Sequence, residues 1–109
     1  MTQIRHLTSA AAVAAALMAL APLPAGADCR EDLAANDVKF EQTMARLESV
    51  KDASQADKCA AYRSHVQIME QAREIFARCN TGLTRRENVG QMNDSIEDFQ
   101  EAIRRRCAP

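Results

Sequence analysis

CAAYRSHVQIMEQAREIFARC, residues 59–79, decides how the rest of the chain is arranged. It holds no Gly or Pro and has a cysteine at each end. As an α-helix rising 1.5 Å per residue, it sets the two sulfurs roughly 30 Å apart, far beyond the roughly 7 Å between Cα atoms that a disulfide tolerates. Cys59 and Cys79 therefore need partners elsewhere, and the 109-residue chain offers only Cys29 and Cys107.

Apolar spacing extends this helix back to residue 55. Ile75, Ile68, Ala72, His65, Phe76, Met69, Tyr62, Val66 and Cys59 fall on an arc of about 200°, broad enough to touch two neighbours. Arg63, Gln67, Glu70, Gln71, Glu74 and Arg78 form the opposite, polar face. Upstream, Leu33, Phe40, Met44, Leu47 and Val50 recur at helical spacing, with Asn36 and Thr43 on the same stripe, and predict a first helix over 29–50. Asp28 is its expected N-cap, with Glu31 and Asp32 in the first turn where the helix dipole favours negative charge. Ser54 and Asp57 resemble a capping box for the second helix, and Asn80, Thr81 and Gly82 end it, Gly82 being suited to a left-handed turn. Thr84 and Glu87 predict a capping box for a third helix over 84–107. Its stripe is Val89, Met92, Ile96, Phe99, Ile103 and Cys107, and Arg104, Arg105 and Arg106 close its last turn, where the dipole favours positive charge.

Three helices of 22, 25 and 24 residues on short links run up, down and up. That topology puts Cys29 and Cys79 at one end and Cys59 and Cys107 at the other. Pairing Cys29 with Cys59 would span a helix length, so one connectivity remains: Cys29–Cys79 and Cys59–Cys107. The expected fold is all-α, an antiparallel up-down-up three-helix bundle stapled by two disulfides. Heights counted from the bridges agree. Leu33, Phe76 and Val89 share a lower layer, Phe40, Met69, Ile96 and Phe99 a middle one, and Leu47, Tyr62 and Ile103 an upper one.

The bundle is expected to occupy residues 28–109, with residues 1–27 a cleaved secretory signal peptide. Arg5 and His6 make a basic start, residues 10–21 an apolar run too short for a membrane anchor, and Ala25-Gly26-Ala27 a cleavage site before Asp28. A lipid anchor on Cys29 does not fit, because Asp28 stands where lipoprotein signals carry a small uncharged residue. All 15 Asp and Glu but only 13 of the 14 Lys and Arg lie beyond residue 27, leaving that part at net −2. Such a balance attracts neither nucleic acid nor an anionic membrane, and no stable membrane anchor is expected. An even cysteine count in so short an exported chain reads as a disulfide framework in the periplasm or a secreted protein. A four-cysteine zinc site does not fit, since the cysteines lack any C-x-x-C pair.

Chemistry has few footholds. His65 sits on the apolar arc, with Met44 at the same expected height and Met69 one turn away; a His and two Met in a bundle interior are a ligand set for copper or haem iron. The plainer expectation is a neutral core histidine bonded to Thr43 or Gln100, with the methionines as core filler and no cofactor. Glu70 with Glu74, and Glu97 with Glu101, stand four apart on polar faces as solvated pairs. Ser64 and His65 are adjacent and point to different faces, and no glycine-rich phosphate loop exists beyond residue 27, where the glycines are Gly82 and Gly90. Leu83, Thr84 and Glu87, in the run LTRRE, are similar to the L-T-x-x-Q motif of periplasmic stress chaperones of the Spy and CpxP kind, with Glu87 in place of the Gln. The resemblance covers five residues, and a capping box accounts for it equally well.

The reading that follows is a small exported, non-enzymatic binding or accessory protein. It acts as a monomer or small homo-oligomer toward an unspecified protein partner. The alternatives are a metal or haem binder through His65, Met44 and Met69 and, behind that, a periplasmic chaperone-like protein.

Overall fold

The computed structural model describes residues 25–109, which form three α-helices, α1 (Ala25–Ser49), α2 (Gln55–Cys79) and α3 (Gly82–Arg106), with no strand among the described residues. The expected signal segment lies outside them except for residues 25–27, which open α1. Asp28 is therefore not the N-cap but an acidic residue of the first turn.

The short links follow local chemistry. After α1, the Val50 and Lys51 N–H groups bond back to the Arg46 and Glu48 carbonyls, and Ala53 N–H reaches Val50 at 2.9 Å. Ser54 then caps α2 as its sequence predicted: its backbone is extended and its hydroxyl accepts the Asp57 N–H at 3.2 Å. The capping box expected at Thr84 and Glu87 does not form, because α3 starts two residues earlier. Asn80 and Thr81 are extended, Gly82 turns the chain with φ 57°, and helical bonding begins at once with Arg85 N–H to the Thr81 carbonyl at 3.2 Å. Thr84 is thus inside the first turn, and Thr81 caps without a side-chain hydrogen bond.

α2 is the middle element. It packs against both neighbours, whereas α1 and α3 bring no pair of Cα atoms within 8 Å of each other. The two bridges are those the helix lengths require: Cys29–Cys79 with Cα atoms 5.3 Å apart and Cys59–Cys107 at 5.8 Å, one at each end of α2.

Val66, Met69, Ala72, Met92 and Ile96 form the core, with Phe40, Phe76, Phe99 and Ile103 packed against it. The expected middle layer is therefore assembled. Met69, 1% exposed, contributes about 1.5–3 kcal/mol by leaving water. The inward seam of α1 is Leu33, Asn36, Phe40, Thr43 and Leu47, continued by Val50 just past the helix in a 3-4-3-4-3 spacing, with Asn36 and Thr43 buried and the rest half-buried. Met44, expected on this stripe, is instead 56% exposed, while the polar Asn36 and Thr43 are 2% and 6% exposed. The seam was set by heptad geometry rather than by side-chain hydropathy. Asp32 and Arg78 pair at 2.6 Å beside the Cys29–Cys79 bridge, and Arg73 reaches Asn93 at 3.1 Å across α2 and α3. Both contacts are exposed and add little net stability.

Candidate functional site

His65 projects from α2 into the space between its neighbours and is 4% exposed. Its Nδ1 lies 3.0 Å from Thr43 Oγ1 on α1. Phe40 of α1 meets the imidazole edge-on with centroids 6.3 Å apart, and Phe99 of α3 covers it at 4.6 Å, tilted by 51°. Burial lowers the pKa of His65 below its ordinary value, favouring the neutral ring. Of the two expected partners, Thr43 is bonded and Gln100 is exposed. His65 is thus a core side chain with one satisfied polar atom, clamped between two aromatic rings.

Of the expected ligand trio, His65 and Met69 are buried and Met44 is 56% exposed. No cluster of three or more His, Cys, Asp or Glu suited to a metal ion occurs among the described residues. All four cysteines are in disulfides and so are not available as nucleophiles. Glu101 of the Glu97/Glu101 pair is engaged by Arg105 at 2.6 Å. Leu83, at the head of the LTRRE run, lies in the first turn of α3 and is 64% exposed.

At the Cys59–Cys107 end lies a feature that sequence reasoning missed. Tyr62, Asp98, Phe99, Ala102 and Arg106 line an open trough of about 260 Å³. The Tyr62 and Phe99 rings meet edge-to-face, 5.9 Å apart, as its wall. Both rings belong to expected core layers, yet both are half-buried. The signal in the sequence was Ala102, whose methyl group is too small to cover the aromatic pair beside it.

The C-terminal turn of α3 is held in place around this trough. Gln55 Nε2 donates to the Arg106 carbonyl at 2.8 Å, Arg63 donates to the Ala108 carbonyl at 2.7 Å, and Cys107 is bridged to Cys59. The Arg106 side chain rims the trough from this fixed stretch. Among the described residues the ion pairs are Lys51 with Glu48, Arg78 with Asp32 and Arg105 with Glu101, so Arg106 has no carboxylate partner. No helix of the described residues is long and apolar enough to cross a membrane. Comparison with known proteins finds no matching family model, no matching curated protein and no matching solved structure.

Proposed function

We propose that this chain is a small exported, non-enzymatic binding or accessory protein, made as a precursor that loses residues 1–27 and acts as residues 28–109 in the periplasm or outside the cell. The observation that carries the reading is the pairing of all four cysteines in two bridges, at opposite ends of α2. Such bridges persist in oxidising compartments and are rare in reducing ones. They hold a domain too small to rely on its core alone. A stapled frame with an apolar trough at one end suits presenting a surface to a ligand or partner better than it suits catalysis.

The test is expression of the full chain with its own N-terminus, followed by fractionation, N-terminal sequencing and thiol counting. The expected product starts at Asp28, sits outside the cytoplasm and has no free thiol. Full-length protein retained in the cytoplasm with reduced cysteines would overturn the reading.

A further inference from the structure

We infer that the trough at the Cys59–Cys107 end binds a single-chain amphiphile with an anionic head, a free medium-chain fatty acid, with its tail against Tyr62, Phe99 and Ala102 and its carboxylate at Arg106. This rests on the binding reading above and gives it a ligand class.

Apolar surface is left partly uncovered at this end, as it also is around Leu83 at the other. The closed core lies around Met69, Ala72 and Ile96, whereas Leu47, Tyr62, Phe99 and Ile103 are only half-buried and Met44 is exposed. The two rings come from α2 and α3, and α1 brings no Cα within 8 Å of α3. At about 260 Å³ the space lies just below the usual range for small-molecule sites, roughly 300–1,000 Å³. A space of that size holds one alkyl chain or ring.

Charge gives the occupant its polarity. The two charged residues of the lining, Asp98 and Arg106, are eight positions apart on α3, about 12 Å along the axis. Arg106 has no carboxylate partner among the described residues, and its backbone is fixed by Gln55 and by the neighbouring bridge. A carboxylate head therefore finds at one end an exposed guanidinium carried on a fixed stretch of backbone. The Asp98 carboxylate at the other end disfavours the reversed orientation.

The chain supplies its own reporter, since Tyr62 is the one tyrosine and there is no tryptophan. Decanoate is titrated below its micelle concentration into the exported, fully oxidised protein while tyrosine emission is followed, with decanol as the neutral probe. Decanoate is expected to give a saturable change and to bind about five-fold tighter than decanol, the contribution of one partly exposed ion pair. Arg106→Gln removes that five-fold preference, Arg105→Gln leaves it intact because Arg105 serves Glu101, and Ala102→Phe fills the trough and abolishes both titrations. Circular dichroism and an intact mass with two bridges establish that each variant is folded.

The inference is overturned if emission shows no saturable change, or if Arg105→Gln and Arg106→Gln weaken decanoate equally. It is also overturned if emission follows protein concentration instead, which would assign the trough to a second copy, or if phospholipid vesicles give the larger change, which would assign it to a bilayer. A flat decanoate titration of correctly exported protein removes the fatty acid and leaves the broader binding reading standing. Cytoplasmic retention removes that reading without bearing on the trough.

Discussion

Acidification tests the centre of the bundle through one side chain. His65 is the only histidine beyond residue 27, and it is enclosed by Phe40, Phe99 and the Thr43 hydroxyl, with no carboxylate bonded to it. Burial lowers its pKa in the folded state, so between the folded value and about 6.5 the unfolded chain binds the extra proton. Stability is then complete above about pH 6.5 and falls as pH drops toward the folded value, by at most about 1.4 kcal/mol per pH unit. Urea unfolding at intervals from about pH 7.5 to 5.5, where ordinary carboxylates stay more than about nine-tenths ionised, reads this contribution against the paired variant. The midpoint is expected to fall through that window in the wild type. It should stay level in the paired variant Thr43→Val with His65→Leu, which removes the imidazole and its hydroxyl partner together so that neither is left unsatisfied. A proton NMR titration of the His65 ring reads the same quantity directly. An imidazole titrating at or above its ordinary value, or a paired variant that keeps the wild-type slope, would refute the reasoning.

Four further outcomes follow from the packing. Replacing Cys59 and Cys107 by Ser reopens a loop with a sequence separation of 48. That should cost about 4 kcal/mol and lower the melting temperature by about 15–30 °C, read by circular dichroism. Asn36→Leu removes an amide whose Nδ2 is buried without a partner and should raise the urea midpoint by the equivalent of about 1–2 kcal/mol. Gly82→Ala meets no atom within 4 Å but must adopt a φ of 57°, so chemical denaturation should show a loss of about 1–2 kcal/mol from backbone strain alone. Met69→Ala should cost about 2–5 kcal/mol and Met44→Ala under about 0.5 kcal/mol in the same assay; equal costs would place Met44 in the core.

Much of this architecture was legible because a helix is a rigid ruler. Cys59 and Cys79 cannot meet across 20 helical steps, nor Cys29 and Cys59 across the length of an antiparallel helix, and together those two facts select both bridges. The exceptions have local causes. Thr84 and Glu87 match a start signal, but Gly82 turns the chain so sharply that helical bonding is already under way when Thr84 arrives. Met44 follows Phe40 by four residues and is the more apolar choice, yet Thr43 takes the seam position because His65 gives its hydroxyl a partner. Phe99 and Tyr62 fall in different expected layers, one middle and one upper, yet their rings meet edge-to-face and both are only half-buried. Their exposure depends on how far α1 stands from α3, a distance that no single helix pattern encodes.

The bridges also determine how the molecule bears tension. Pulling on Cys29 and Cys107 loads two covalent junctions, Cys29 with Cys79 and Cys107 with Cys59, and three strands of backbone run between them in parallel. The strand through α2 is the shortest, so it goes taut first and shields the other two. It yields from roughly 30 Å when coiled to about 70 Å when drawn straight, and there the chain becomes an inextensible tether.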